Sequence, residues 1–194
     1  MALDGKRKAI FVDRDGTLLE EVNFLSRIED LNFFPFTDEA VGILKKKGYL
    51  VIVVTNQSGI GRGIYTEDDM HAIHDEIQRR LSTEVDGFYY CPHLPGENCH
   101  CRKPGLGMIE AACSDFEIDL TQSWMIGDKD LDVLTGHNAG IRTALVLTGY
   151  GESHSKTLEE SPDIVAANLL EAARRIAAGD AARLSSILAA ADEL

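Results

Sequence analysis

The chain lacks any long hydrophobic run. Its longest unbroken apolar stretch, around residues 50–54, is far shorter than the roughly 20 residues that a membrane-spanning helix needs. The N-terminal segment reaches an aspartate before a signal-like apolar region develops, so we expect a cytoplasmic protein with no membrane partner. The 194 residues are 44% hydrophobic, which is enough for one sizeable core, and we expect a single domain over residues 1–194.

Positive charge is also scarce. The chain carries 19 Lys and Arg against 32 Asp and Glu, which gives a formal net charge of −13. Proteins hold nucleic acids largely by neutralising phosphates with lysine and arginine, so we expect no nucleic-acid partner. A small anionic substrate stays compatible with this composition if basic side chains gather locally. We expect a monomer or a weak homo-oligomer.

Cysteine is rare, and its distribution argues against a secreted disulfide framework. Three of the four cysteines lie within eleven residues, together with a histidine. A Cys₃His set is a common closed ligand set for structural zinc. The pattern therefore predicts a zinc-binding loop at about 91–104, in which His100 lies between two ligands and should point away. The predicted ligands are Cys91, His93, Cys99 and Cys101.

Four short β-branched runs, at 8–13, 49–55, 124–128 and 143–149, are bounded by turn residues. Such runs are typical of buried parallel strands. Because helical segments alternate with them, the sequence predicts an α/β fold with a three-layer, doubly wound parallel sheet. Ligands of such sheets bind beyond the carboxyl ends of the strands. The pattern brings four polar residues to that edge: Asp13, Asp15, Thr55 and Asp128.

The sharpest signal is Asp13-x-Asp15-Gly16-Thr17 at the end of the first predicted strand. One carboxylate can attack phosphorus to give an aspartyl-phosphate. The second can protonate the leaving alcohol and later deprotonate the attacking water. Two acids this close would repel a phosphate dianion, so we expect Mg²⁺, which favours such oxygen-rich sites. Lys103 can supply a fixed positive charge for the transferring phosphoryl group.

The order of these motifs resembles the haloacid dehalogenase superfamily of phosphatases. Asp13-x-Asp15-Gly16-Thr17 is followed by Thr55, by Lys103 and by Gly127-Asp128-Lys129-x-x-Asp132. Details around 13–17, 55–59 and 91–104 further resemble the branch that holds heptose-bisphosphate phosphatases and histidinol-phosphate phosphatases. This resemblance also strengthens the predicted zinc site.

The resemblance implies a Rossmann-like fold and a role for each motif residue. Asp13 would be the nucleophile and Asp15 the acid/base, while Thr55 and Lys103 would hold the phosphoryl group. Mg²⁺ would be bound by Asp13, by the backbone carbonyl of Asp15 and by Asp128, whereas Asp132 would orient Lys103.

No large insertion separates Thr17 from Thr55 or Ser58 from Cys91, so we expect no separate cap domain. The segment 18–34 and the zinc loop must then shape the pocket. Candidates for contacting the rest of the substrate, including a second anionic group, are Asn56, Gln57, Ser58, Arg62, Arg102 and Lys129. We interpret His71 and His74 as solvent-exposed, because no ligand partner stands at a suitable spacing.

Capping signals predict several helix boundaries. Thr37 or Asp38 should cap a helix that runs to Lys47, and Thr66 with Asp69 should open another that runs to about Thr83. At the C-terminus, Gly179 should close a helix over 169–178, and a second helix over 181–191 should follow in an Ala-rich tail at about 180–194.

The leading hypothesis is a Mg²⁺-dependent phosphatase that removes the 7-phosphate of a heptose 1,7-bisphosphate, a small phosphorylated sugar. Hydrolysis of histidinol phosphate is the alternative within the same branch, and Phe24 stands where the heptose pattern commonly has tyrosine. A nucleic-acid 3′-phosphatase is opposed by the acidic charge. A zinc-containing binding module without catalysis is opposed by the intact set of catalytic positions.

Overall fold

A computed structural model describes residues 5–192, with side chains described through residue 180. Within that range six parallel strands form one sheet in the order β3-β2-β1-β4-β5-β6. The strands are β1 Ala9–Val12, β2 Leu50–Asn56, β3 Gly87–Cys91, β4 Trp124–Gly127, β5 Arg142–Val146 and β6 Ile164–Ala166. The helices are α1 Thr37–Lys46, α2 Ser58–Gly61, α3 Glu67–Arg80, α4 Gly107–Asp115, α5 Asp130–Asn138, α6 Gly151–His154 and α7 Leu169–Asp192. Short 3-10 turns occupy Ile28–Asp30 and Leu120–Gln122.

The sheet is buried on both faces, because alternate residues of each central strand enter different cores. In β1, Ile10 and Val12 join one apolar cluster, while Ala9 and Phe11 join the other. Helices α1, α3 and α7 cover the first face. Helices α4 and α5 cover the second, where Gly136 of α5 lets the helix approach Met125 closely. The predicted three-layer, doubly wound parallel sheet is confirmed.

The helix boundaries follow the sequence signals in part. The Thr66–Asp69 capping box is present, and Gly48 follows α1 with a positive φ of 81°. The cap predicted for α1 is wrong, since Phe36 occupies that position. Thr37 instead donates its hydroxyl hydrogen to the Leu18 carbonyl at 2.7 Å, which ties the helix to the loop after β1.

The two helices predicted for the C-terminal tail are wrong, because α7 is continuous over Leu169–Asp192. Gly179 does not take the left-handed conformation of a helix stop, and a side chain there would meet open space. Asp180 does not cap a second helix either. It accepts hydrogen bonds from Lys8 Nζ at 2.6 Å and from the Tyr49 hydroxyl at 2.9 Å. Residues 193–194 of the predicted tail lie outside the described residues.

The described segments between the strands contain no cap domain. Between Thr17 and β2 the chain forms a loop, one 3-10 turn and α1, and only α2 and α3 lie between β2 and β3. In the first loop, Asn23 and Phe24 both adopt left-handed φ angles, of 48° and 66°. Of the helices between residues 5 and 192, none has the length and apolarity needed to cross a membrane.

Candidate active site

The carboxyl ends of the central strands open into one cleft. Asp13 follows β1, Thr55 and Asn56 end β2, and Lys129 lies just beyond β4. The loop after β3 contributes Arg102 and Lys103. The residues lining the cleft are Asp13, Asp15, Glu21, Asn23, Phe24, Thr55, Asn56, Gln57, Ser58, Tyr65, Arg102, Lys103, Lys129, Leu131, Asp132 and Tyr150. Most of the residues predicted for the site therefore share one cavity.

Asp13 is almost fully buried beside a lysine. Its Oδ1 accepts the Arg14 backbone N–H at 2.8 Å and lies 3.0 Å from Lys103 Nζ. Its Oδ2 lies 3.9 Å from Lys129 Nζ. Burial raises the pKa of Asp13, but the charges of Lys103 and Lys129 outweigh it and hold this pKa below its usual value. The carboxylate is therefore ionised, as a nucleophile must be.

Lys103 is clamped between two carboxylates. Its Nζ donates to Asp132 Oδ1 at 2.6 Å as well as facing Asp13. Burial lowers the pKa of Lys103, yet Asp13 and Asp132 raise it above its usual value, so the ammonium stays charged. The second oxygen of Asp132 accepts the Lys129 backbone N–H at 3.0 Å. Asp132 thus orients Lys103, with both carboxylate oxygens engaged.

Asp128 lies behind the cleft with no exposed surface. Two glycines with positive φ, Gly16 and Gly149, pack so closely on its carboxylate that a Cβ on either would stand 2.3 Å or 2.2 Å from Oδ2. That oxygen accepts the Tyr150 backbone N–H at 2.8 Å. Oδ1 is buried without a hydrogen-bond partner, and Lys129 Nζ lies 3.6 Å from it. Burial, followed by the charge of Asp13, raises the pKa of Asp128 to about 7.

This geometry fits a divalent cation. Carboxylate oxygens of Asp13, Asp128 and Asp132 lie within 4.8 Å of one another, and all three residues are buried. A buried carboxylate oxygen without a hydrogen bond is costly, and a bound divalent cation would offset that cost more fully than an ammonium 3.6 Å away. Mg²⁺ commonly binds through one or two carboxylates, with water and substrate oxygens completing its shell. Since Asp132 is committed to Lys103, Asp13 and Asp128 are the side chains that fit the ion.

The polar residues at and just after the end of β2 line the cleft and also hold its other residues in place. Asn56 Oδ1 accepts the Lys103 backbone N–H at 3.0 Å, and its Nδ2 donates to the Lys103 carbonyl at 3.3 Å. Gln57 is 2% exposed, and its Nε2 donates to Asp15 Oδ2 at 2.9 Å and to Thr55 Oγ1 at 2.7 Å. Both amides therefore hold catalytic candidates in place.

Three basic residues predicted to contact substrate differ in position. Arg102 lines the cleft and donates to the His93 carbonyl at 3.1 Å, which connects the cleft to the cysteine loop. Lys129 also lines the cleft, with Nζ 5.1 Å from the centre of the Tyr150 ring. Arg62 is exposed and is not one of the lining residues. Its guanidinium carbon lies 5.9 Å from the centre of the Phe24 ring, at the margin of the cleft.

The four predicted zinc ligands converge. Donor atoms of Cys91, His93, Cys99 and Cys101 lie within 4.8 Å of one another. Cys91 Sγ is 3.1 Å from Cys101 Sγ and 3.5 Å from Cys99 Sγ. His93 turns Nδ1 toward the sulfurs, 3.2 Å from Cys101 Sγ. A tetrahedral zinc with Zn–S bonds of about 2.3 Å needs sulfurs roughly 3.8 Å apart, so a small expansion accommodates the ion.

His100 points away from this cluster, as expected. Its Nε2 lies 2.6 Å from Glu110 Oε2 on α4. The cysteine loop therefore has one histidine for the cluster and one that ties it to a helix.

Comparisons with known proteins identify the family of this chain. A family model described as HAD-hydrolase-like matches residues 100–172, which include Lys103, Asp128 and Asp132. The D-glycero-beta-D-manno-heptose-1,7-bisphosphate 7-phosphatase of Haemophilus ducreyi is 39% identical over 175 residues, which cover 85% of this chain and 96% of the relative. The chain belongs to this phosphatase family. The D-glycero-alpha-D-manno-heptose-1,7-bisphosphate 7-phosphatase of Burkholderia mallei is 41% identical over 162 residues, covering 78% and 86% of the two chains.

A solved structure supports membership of the heptose-bisphosphate phosphatase family. The crystal structure of D,D-heptose 1,7-bisphosphate phosphatase from B. bronchiseptica, complexed with magnesium and phosphate, has a TM-score of 0.81 and 29% sequence identity. The match covers 87% of this chain and 97% of that one. As a member of the family, the chain is a phosphoric monoester hydrolase.

Sequence reasoning missed three residues that this family member places at or beneath its cleft. Tyr150 lies just past the end of β5, where the strand-end rule could have found it. Tyr65 gave no comparable signal. The prediction that His74 is exposed is wrong, since it is 5% exposed and stacks on Phe88. Its helical spacing from Met70 and Ile77 on the buried face of α3 was the available signal.

Proposed function

We propose that the protein is a Mg²⁺-dependent phosphatase that removes the 7-phosphate of D-glycero-D-manno-heptose 1,7-bisphosphate through an aspartyl-phosphate. The observation that carries the chemistry is the buried trio of Asp13, Lys103 and Asp128. It combines an ionised carboxylate, a fixed cation beside it and a second carboxylate, within reach of the first, whose buried Oδ1 has no hydrogen bond. The substrate class rests on relatives of about 40% identity that bear this name.

In the first step an Asp13 carboxylate oxygen attacks phosphorus, the bond from phosphorus to the sugar oxygen breaks, and Asp15 gives its proton to the leaving oxygen. In the second step Asp15 takes a proton from water, the water oxygen attacks phosphorus, and the bond to Asp13 breaks. Lys103 holds the phosphoryl oxygens throughout. Asp13 and Asp128, with the Asp15 backbone carbonyl, would hold Mg²⁺, which neutralises phosphate charge when bound.

A second anionic group on the substrate has suitable partners in the same cleft. Arg102 and Lys129 line it together with Lys103, although the chain as a whole is strongly acidic. The side chains of Asn56 and Gln57 are already committed to other residues of the site. We therefore assign the 1-phosphate to Arg102 and Lys129, with Ser58 as a hydroxyl donor and Arg62 at the margin, while Thr55 stays with the transferring phosphoryl group.

We also propose that Cys91, His93, Cys99 and Cys101 hold a structural zinc ion. Arg102 and Lys103 follow the last ligand directly, so the ion would fix the loop that presents both cations. Elemental analysis of the purified protein should give about one zinc per chain. Cys99→Ser should lose the metal together with phosphatase activity, whereas Cys113→Ser outside the cluster should lose neither. Equal zinc content in both variants would contradict the assignment.

Phosphate release from matched substrates tests the proposed activity. The α and β anomers of the heptose 1,7-bisphosphate, histidinol phosphate and a DNA 3′-phosphate should be compared with Mg²⁺ and with chelator. We expect release of one phosphate from the heptose, with the 1-phosphate retained, and loss of activity with chelator. Faster turnover of histidinol phosphate would favour the alternative substrate. Equal, feeble turnover of all the esters would refute the heptose assignment.

A further inference from the structure

The side chain of Arg14 is among the largest that the structure buries completely, at 1% exposure. It lies between the two motif aspartates in sequence, yet it is not one of the cleft-lining residues. Its Nη2 donates to Asp15 Oδ2 at 2.9 Å, and its Nε donates to Asp15 Oδ1 at 3.1 Å. This pair of hydrogen bonds fixes the plane of the Asp15 carboxylate.

The other side of the guanidinium meets a histidine. Arg14 Nη1 lies 3.3 Å from His74 Nε2 on α3. Because arginine only donates, His74 Nε2 must accept, which leaves the ring proton on Nδ1 and the ring neutral. Burial, followed by the charge of Arg14, lowers the pKa of His74 to about 3, in agreement with this assignment. The ring stacks on Phe88 with centroids 4.5 Å apart, so its position is set by packing.

Gln57 completes the enclosure of Asp15. Its Oε1 accepts hydrogen bonds from Arg14 Nη2 at 3.0 Å and from the Tyr65 hydroxyl. These two donors orient the amide so that its Nε2 faces Asp15 Oδ2 at 2.9 Å. Arg14 therefore controls Asp15 both directly and through Gln57, and His74 holds the end of Arg14 that faces away from Asp15.

We propose that His74 is a positioning residue for proton transfer by Asp15. It accepts a hydrogen bond from Arg14 Nη1 and so fixes the orientation of the guanidinium. In that orientation Arg14 Nε and Nη2 hold the Asp15 carboxyl group in place. This inference rests on the part of the proposed function that assigns acid/base catalysis to Asp15. It does not depend on the identity of the sugar.

The dependence of the rate loss on the leaving group separates a positioning role of His74 from a role in folding alone. When the phosphorus–oxygen bond breaks, an alkoxide needs the proton from Asp15, whereas 4-nitrophenolate leaves readily without it. A misdirected Asp15 should therefore slow alkyl phosphates more than 4-nitrophenyl phosphate. General loss of folded enzyme would slow both equally.

The test compares His74→Phe with His74→Gln on glycerol phosphate, phenyl phosphate and 4-nitrophenyl phosphate. His74→Phe keeps a ring on Phe88 but lacks the acceptor, and His74→Gln offers an acceptor at similar reach. For His74→Phe we expect about a tenfold loss of kcat/KM on glycerol phosphate, part of the 10²–10⁴ that a general acid supplies, and under about twofold on 4-nitrophenyl phosphate. The comparison uses kcat/KM because it covers the steps up to loss of the leaving group and excludes the later hydrolysis that all the esters share. His74→Gln should stay near the wild type. An equal loss on all esters, or a Gln variant as impaired as the Phe variant, would overturn the proposal.

A measurement on the unaltered protein covers the case in which a variant does not fold. ¹⁵N NMR of histidine-labelled protein should show His74 neutral at pH 6, with the proton on Nδ1 and none on Nε2. A ring protonated on Nε2 cannot accept from Arg14 and would refute the arrangement. Because simple esters and the free enzyme are used, failure on the heptose substrate alone would leave this result intact.

Discussion

Binding of Mg²⁺ should release a proton from Asp128. In the metal-free protein, burial and then Asp13 raise the pKa of Asp128 to about 7, and its Oδ1 has no hydrogen-bond partner, with Lys129 Nζ 3.6 Å away. A metal ligand must be deprotonated, so the ion displaces whatever proton is present. With a pKa near 7, release should approach one proton at pH values well below 7 and fall toward zero well above it. The apparent affinity should weaken about tenfold per pH unit below 7.

Isothermal titration calorimetry measures this release directly. Titrating Mg²⁺ in buffers of different ionisation enthalpy gives the number of protons transferred at each pH. A count that is the same at pH 6 and pH 8, or no transfer at either, would refute the placement of the ion against Asp128.

The Asp128 carboxylate should also make the folded protein less stable as the pH rises, whereas most acidic groups have the opposite effect. Its folded pKa of about 7 lies above the ordinary aspartate value of 3.8, so its contribution is most favourable at low pH and is lost as the pH rises through 7. Three pKa units correspond to about 4 kcal/mol. Asp128→Asn should therefore stabilise the metal-free protein at pH 8 by up to that amount while abolishing the response to Mg²⁺ and the activity.

Urea denaturation at pH 8, with and without Mg²⁺, checks this result. The exposed Asp75→Asn variant is the matched control, since it removes one carboxylate away from the site. A metal-free Asp128→Asn protein that is less stable than the wild type would show that burial of the Asp128 charge does not destabilise the fold.

Three further outcomes are expected. Asp13→Asn should abolish phosphate release while circular dichroism and zinc content stay unchanged, and retained turnover would exclude Asp13 as the nucleophile. Lys103→Met leaves Asp13 and Asp132 buried without their cation, so urea denaturation should show a loss of about 3–5 kcal/mol. A loss as small as that of the exposed Lys156→Met would contradict this role. The pKa of His74 is near 3 in the folded protein against an ordinary histidine value of 6.5, so the wild type should lose about 2 kcal/mol of stability as the pH falls from 7.5 to 5. His74→Gln should remove that part of the pH dependence, and identical acid sensitivity in the two proteins would show that His74 is not buried in its neutral form.

Much of the fold was predictable because parallel strands have a strong local signature. Runs such as 49–55 are apolar on both faces, and glycine stops such as Gly48 act through their own backbone. The tail was not predictable in this way. In the sequence Gly179 is typical of a residue that ends a helix. In the structure Asp180 accepts hydrogen bonds from Lys8 and Tyr49, and the helix continues past Gly179 and Asp180.

The candidate site, like the fold, was predictable in part from local sequence and in part not. By itself the sequence determined which chemistry gathers at the cleft, because the carboxyl ends of adjacent parallel strands meet at one edge whatever the loops do. Only the tertiary structure decided which partner each polar group takes. Arg14 and His74 are 60 residues apart in the chain, and Lys103 and Asp132 are 29 apart. Such pairings depend on how helices and loops pack across the sheet, and that packing is set by the whole core rather than by local sequence.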